Sequence, residues 1–225
     1  MFDVPLPRAA AWAPFLGGER SWLIEREAMA VAWLLQQAAS EGSRPVVQGV
    51  SHAHSYRDGD GPLAALAKRG DVSTYKSPVG PGATFVHNAD IRLLATGMST
   101  AGGFSLVATE TKTLPLHGWA MATRAVDLAT NEVIRDERST DQIEMLEGLV
   151  DQLYNGWSHR EVGRRASAYY MPRLADSGMS YAVFVGSLIA LAPRHLDSNS
   201  DIEAMKKALP PAWASEREAL SRSWL

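Results

Sequence analysis

The chain contains no cysteine among its 225 residues. This absence excludes disulfides, thiolate zinc sites, iron–sulfur clusters and cysteine nucleophiles, and it is typical of a reducing compartment. The chain also lacks an apolar run that could cross a bilayer, because the longest, 181–192, covers 12 residues and a span needs about 20. Residues 1–8 carry an acid and two prolines, where a signal peptide would begin with a basic region. We therefore expect a cytoplasmic protein with no membrane partner.

An excess of positive charge is missing too. The 22 basic residues are outnumbered by 25 acidic ones, which gives a net charge of −3. A protein whose main role is to bind phosphate backbones is usually basic, so this balance argues against a nucleic-acid partner without excluding a local basic patch. The hydrophobic content of 46% and the charged content of 21% are ordinary for a folded globular chain.

Short apolar runs alternate with a helical pattern in the middle of the chain. Residues 45–50, 83–87 and 104–108 read as strands, and residues 90–100 read as a helix that Asp90 caps and two glycines end. A strand–helix–strand unit with short connections favours parallel pairing through a right-handed crossover. The sequence therefore predicts an α/β fold with a mostly parallel central sheet and flanking helices.

The two ends of the chain do not show this alternation of strand and helix patterns. Residues 20–39 form a strong helical pattern, and residues 1–18 contain three prolines and two adjacent glycines, which predicts an irregular arm. We expect the buried face of the helix to consist of Ile24, Ala28, Val31 and Leu35.

From residue 139 onward, strand signals nearly vanish and serines precede acidic or amide residues at capping-box spacing. The four pairs are Ser139 with Gln142, Ser158 with Glu161, Ser200 with Glu203 and Ser215 with Glu218. The predicted organisation is an arm at 1–18, an α/β core at 19–138, and a helical region at 139–225 that packs on the same core.

The densest chemistry follows the first predicted strand. His52 and His54 stand one residue apart, and Asp58 and Asp60 follow in a Gly-rich turn. Side chains at i and i+2 of an extended chain share a face, so both imidazoles could bind one divalent metal, with Asp58 or Asp60 completing the set. The Asp-Gly pairs are also strong turn formers, so a polar loop without metal is the alternative.

The segment His-Ala-His-Ser-Tyr-Arg-Asp-Gly-Asp-Gly, continued by residues 63–70, resembles the opening motif of the polymerase-and-histidinol-phosphatase (PHP) phosphoesterases. In that family the opening histidines help to bind a metal cluster for phosphate-ester hydrolysis. The resemblance implies a metal-dependent hydrolase with His52 and His54 as ligands and a metal-bound water as the nucleophile.

Two further acids follow predicted strands. Asp90 comes after 83–87 and Glu110 after 104–108, and ligands of open parallel sheets collect outside the carboxyl ends of the strands. Asp90 also fits a helix cap. A shared cleft at this edge would have as its ligand-binding residues His52, His54, Asp90, Glu110 and Lys112.

A basic segment at 155–165 resembles the turn and second helix of a helix-turn-helix unit, with a glycine, a capping serine and an arginine face. The nucleic-acid-binding residues of that reading are Arg160, Arg164 and Arg165. Pro172 is expected to interrupt the recognition helix that would have to follow. The alternative is an amphipathic helix with solvated arginines.

No complete Ser-His-Asp, Walker or dinucleotide motif is present in the sequence. We therefore favour a binding protein without a cofactor. Its ligand is either a small molecule or a macromolecular partner, the latter being another protein or a second copy of the chain. The alternatives are the metal-dependent phosphoesterase and, after it, the helix-turn-helix protein.

Overall fold

A computed structural model describes residues 4–16, 20–50, 54–153, 157 and 161–222. The strands are β1 (Ala10–Ala13), β2 (Pro45–Gln48), β3 (Asp71–Ser73), β4 (Ala83–Val86), β5 (Leu106–Thr109), β6 (Val126–Asp127) and β7 (Glu132–Val133). The α-helices are α1 (Arg20–Glu41), α2 (His54–Arg57), α3 (Pro62–Arg69), α4 (Ile91–Ala101), α5 (His117–Thr123), α6 (Thr140–Gln152), α7 (Glu161–Asp176), α8 (Tyr181–Leu191), α9 (Asn199–Lys207) and α10 (Pro211–Arg222), and a 3-10 helix covers Pro193–Leu196.

The seven strands form one sheet in the order β3-β2-β4-β5-β1-β6-β7. Every neighbouring pair is parallel except β6 and β7, which are antiparallel. The predicted α/β class is confirmed, as are the strands predicted at 45–50, 83–87 and 104–108 and the helix predicted at 90–100, each with ends within two residues of those predicted. Asp90 caps α4 as expected, and Gly102 ends it with a left-handed φ of 55°.

The prediction of an irregular arm at the N-terminus is wrong for residues 10–13. These residues form β1, which lies between β5 and β6 inside the sheet. The segment is Ala-Ala-Trp-Ala, and alanine has little preference for strands, so propensity did not reveal it. All four residues are buried, so pairing and burial on both faces hold them extended.

Alternate residues of each strand point to opposite faces and so supply two cores. Ala11 and Val107 pack with α1 and α3 on one face. Trp12, Leu106 and Ala108 pack on the other face. That second core also takes buried residues from α4, α5 and the helices after residue 139.

The helix predicted at 20–39 is confirmed, but three of its four expected core positions are wrong. Ile24 is 52% exposed, Ala28 is exposed and Leu35 is half-buried; only Val31 is buried. The face on the sheet is instead formed by Arg26, Ala30, Leu34 and Ala38. Apolar residues occur around most of the helix, so the 3.6-residue period fits two faces about equally well.

The C-terminal region is helical, with partly different helix starts from those predicted. Ser139 and Gln142 form a capping box at α6. The Ser200 and Ser215 caps are wrong: Ser198 caps α9, and Ser215 lies inside α10. Ser158 lies outside the described residues. Within the part of the chain described here, no helix is both long and apolar enough to span a membrane.

Candidate functional site: a cleft at the carboxyl edge of the sheet

Strands β4 and β5 lie in the middle of the sheet, each beside a strand whose connection leaves in the opposite direction. From β2 the chain runs outward to β3, whereas from β4 it runs the other way to β5. The neighbours β5 and β1 also connect in opposite directions, β5 to β6 and β1 to β2. The carboxyl ends of strands at such reversals are where open α/β sheets bind ligands. A ligand site is therefore expected at the loops that follow β4 and β5.

A cleft of about 550 Å³ lies there, between α4, the turn at 113–114, and the helices α8, α9 and α10. We call it the α4–α10 cleft. Its charged residues are Asp90, Arg92, Glu203, Lys206 and Arg217, and its apolar residues are Ile91, Leu114 and Ile202. Thr113, Tyr181, Asn199 and Ser221 supply further polar groups. Its volume lies within the range of about 300–1,000 Å³ that is usual for small-ligand sites.

The α4 side of the cleft is held by polar contacts. The Asp90 carboxylate accepts a hydrogen bond from the Leu93 amide at 2.7 Å. The Arg92 guanidinium lies 3.9 Å from the centre of the Tyr75 ring, and its Nε donates to the Asp197 carbonyl at 2.9 Å. These contacts join α4 to the chain just before α9, so two sides of the cleft are fixed relative to each other.

The α10 side is held by one buried aromatic residue and one carboxylate. The Trp213 ring stacks on Phe184 with 4.3 Å between ring centres, and its indole N–H donates to the Met179 carbonyl at 2.7 Å. The Glu216 carboxylate accepts from the Tyr181 amide at 2.7 Å. Trp213, Arg217 and Ser221 recur every four residues, so they share one face of α10. Burying Trp213 therefore turns Arg217 and Ser221 towards the cleft.

The charges in the cleft are unequally engaged. Glu203 forms an ion pair with Lys206 at 2.8 Å, and this contact lowers the pKa of Glu203. Among the described residues, Arg217 has neither a hydrogen-bond nor an ion-pair partner, although its charge acts on Glu203 and Tyr181. Burial raises the pKa of Tyr181 to about 12, so the phenol remains protonated at neutral pH and able to donate a hydrogen bond.

Of the predicted ligand-binding residues that the structure describes, His54, Glu110 and Lys112 do not line the α4–α10 cleft. Asp90 lines the cleft. The Glu110 carboxylate is occupied elsewhere, because it accepts from the Phe15 amide at 2.7 Å and from the Leu116 amide at 2.6 Å. Lys112 is exposed and lies 5.3 Å from the Phe15 ring centre. Glu110 thus has a structural task, which is to tie the loops after β1 and β5 together.

A second polar cluster surrounds Arg26, which is only 3% exposed. Its guanidinium donates to the Glu110 carbonyl at 2.7 Å and to the Asn88 side chain at 3.2 Å, and its Nε has no partner within the described residues. Burial lowers the pKa of Arg26 and raises that of Glu110. The cluster cross-links α1 to the ends of β4 and β5, and sequence patterns did not predict it.

His87 lies beside this cluster, 3.5 Å from the Glu27 carboxylate. Burial, followed by the charge of Arg26, lowers the pKa of His87 to about 4. The imidazole is therefore neutral at pH 7, and its contact with Glu27 is not an ion pair there. Glu27 also accepts a hydrogen bond from the Leu63 amide at 2.8 Å, which links α1 to α3.

The histidine-rich segment is only partly described, because His52 lies outside the described residues. His54 is the first residue of α2, so it does not continue an extended chain as the predicted shared face would require. His54, Asp58 and Asp60 are all exposed. Among the residues that the structure describes, no group of three or more His, Asp or Glu side chains could hold a metal ion.

The arginine face predicted for DNA binding lies on α7. Arg164 and Arg165 are exposed, and Arg165 forms an ion pair with Glu161 one turn earlier. Arg160 lies outside the described residues. The expected interruption at Pro172 is wrong, because α7 continues through it to Asp176. Arg164 also lines a smaller cleft of about 390 Å³ that includes Trp157, Ala204, Lys207 and Ala208.

Comparison of the chain with protein-family models, with curated proteins and with solved structures finds no match. The likeness of the histidine-rich segment to PHP phosphoesterases therefore remains a prediction from the sequence.

Proposed function

We propose that this protein is a small-ligand-binding protein and that the α4–α10 cleft is its binding site. The observation that carries the proposal is the position and lining of the cleft. It opens beyond the carboxyl ends of two central parallel strands, and it combines an apolar surface with several polar groups. Both features are typical of ligand sites in α/β proteins.

The rigidity of the surrounding elements supports the same proposal. Arg92 is held by Tyr75 and by the Asp197 carbonyl, and α10 is anchored through Trp213. A site whose side chains are fixed before binding loses less entropy when the ligand arrives. The cleft can therefore bind a ligand without first having to form.

The engagement of its acids supports binding over catalysis. Asp90 caps α4 and Glu203 is paired with Lys206. The pairing with Lys206 lowers the pKa of Glu203, and a carboxylate with a lowered pKa is a weaker general base. Asp90 has a structural task at the start of α4, so the acids of the cleft favour a binding role.

The proposal is tested by nuclear magnetic resonance with isotope-labelled methyl groups. Four small probes would be titrated: benzoate, phenyl phosphate, benzamide and benzyl alcohol. We expect at least one of them to shift the methyl signals of Ile91, Leu114 and Ile202 in a saturable way, because these side chains form the apolar lining.

Two tryptophan variants make this test specific. Ser221→Trp places a large ring at the mouth of the cleft and should abolish the shifts. Ser40→Trp, at an exposed position of α1 on the opposite face of the sheet, should leave them unchanged. The absence of saturable shifts at all three lining residues, or shifts that survive in Ser221→Trp, would refute the proposal.

A further inference from the structure

We infer that the ligand of the α4–α10 cleft is a small organic oxyanion, either a carboxylate or a phosphate monoester, with an apolar body. Its charged group binds to Arg217, and its apolar part lies on Ile91, Leu114 and Ile202. This inference rests on the proposed function and adds to it the chemical class of the ligand.

The sign of the local charge is the first argument. The lining contains three basic side chains and two acidic ones, so it carries one excess positive charge. The whole chain carries −3. A concave surface whose charge is opposite in sign to that of its protein attracts a ligand of the opposite charge.

The partners of these side chains are the second argument. Asp90 accepts a hydrogen bond from the Leu93 amide, and Glu203 is paired with Lys206, so both carboxylates already have partners within the protein. Arg217 has no such partner among the described residues. An arginine presents several N–H donors in a planar fork that matches the oxygens of a carboxylate or a phosphate.

The position of Arg217 is the third argument. It lies four residues after the buried Trp213, on the side of α10 that the stacking on Phe184 fixes. Arg222, in contrast, forms an exposed ion pair with Glu218 on the same helix and does not line the cleft. The two arginines of α10 therefore form a matched pair, of which only Arg217 can reach a ligand.

The apolar residues argue for a ligand larger than an inorganic ion. Ile91 is half-buried, whereas Leu114 is 3% exposed and Ile202 is 7% exposed, so Ile91 offers most of the apolar side-chain surface that a ligand could cover. Tyr181, with 3% exposure, also lines the cleft. A ligand with an apolar body would remove this surface from water at about 25 cal/mol per Å².

The test compares anionic probes with a neutral one of the same shape. Benzoate, benzamide and phenyl phosphate would be titrated against the wild type, Arg217→Gln and Arg222→Gln, with the methyl signals of Ile91 and Ile202 as readout. We expect benzoate or phenyl phosphate to bind at least about tenfold more tightly than benzamide. Losing one charged hydrogen bond corresponds to roughly a ten- to hundredfold loss of affinity. Arg217→Gln should therefore bind the anionic probe more weakly by that factor.

The controls separate charge from folding. Arg217→Gln should bind benzamide with an affinity within about twofold of the wild type, and Arg222→Gln should bind all three probes with unchanged affinity. Thermal unfolding would verify that both variants fold. Raising the ionic strength from about 0.02 to about 0.2 M should weaken the binding of the two anionic probes and leave that of benzamide unchanged. Equal binding of benzoate, phenyl phosphate and benzamide would overturn the inference while leaving the proposed function intact. Failure of every probe to shift the methyl signals would overturn both.

Discussion

Lowering the pH from 7.5 to 4.5 is expected to destabilise the fold through His87. The imidazole has 25% side-chain exposure, and burial together with Arg26 lowers its pKa from 6.5 to about 4. In the unfolded chain it would titrate near 6.5. Between these values the unfolded state binds a proton that the folded state does not. The contribution of His87 to stability is therefore fully present above about pH 6.5 and is lost as the pH falls towards 4.

The size of this effect follows from the two pKa values. One pKa unit corresponds to about 1.4 kcal/mol, so the free energy of unfolding should drop by roughly 2–3 kcal/mol over this pH range. The Glu27 carboxylate at 3.5 Å favours the protonated ring, which makes this figure an upper value. Below about pH 4 the contribution of His87 stops changing, because both states are then protonated.

Urea unfolding, followed by tryptophan fluorescence at pH 7.5, 6.0 and 4.5, would measure how the free energy of unfolding changes with pH. The difference in unfolding free energy between wild type and His87→Gln should change by that amount, because glutamine does not titrate. A constant difference between wild type and His87→Gln across the range would refute the reasoning.

Two further predictions concern stability. Leu34→Ala should lower the free energy of unfolding by about 2–5 kcal/mol in denaturant titration, because Leu34 is fully buried where α1 packs on the sheet. Leu35→Ala should lower it by less than half as much. Equal losses would show that the face predicted from the sequence is the buried one. Glu110→Ala should cost about 2–5 kcal/mol, because it leaves the amides of Phe15 and Leu116 without an acceptor and Arg26 without a nearby charge. A cost below about 1 kcal/mol in the same titration would show that water replaces the carboxylate.

The fold was predictable where local pattern and tertiary structure agree. Strands β2, β4 and β5 are short runs bounded by glycine or polar residues, and α4 has both a capping aspartate and a terminal glycine. β1 was not predictable in this way, since Ala-Ala-Trp-Ala has no strand signature of its own. It becomes a strand because both neighbours offer hydrogen bonds and both faces are buried.

The candidate site was predictable only on the side contributed by the sheet. Asp90 comes three residues after a predicted strand, so its place at the carboxyl edge could be inferred. Lys206 and Arg217 come from helices more than 90 residues later in the chain. Arg217 reaches the cleft because Trp213 packs on Phe184, and Lys206 reaches it because Ile202 and Met205 bury one face of α9. Helix periodicity does not specify which distant helix such a face will meet.

The central claim is that the α4–α10 cleft binds a small organic anion, and nuclear Overhauser contacts from a bound probe test it most directly. With phenyl phosphate bound to the wild-type protein, the account predicts contacts from the ring protons to the methyl groups of Ile91 and Ile202, and their loss in Arg217→Gln at the same probe concentration. Contacts only to Ala204 and Ala208, which line the smaller cleft beside α7, would contradict it.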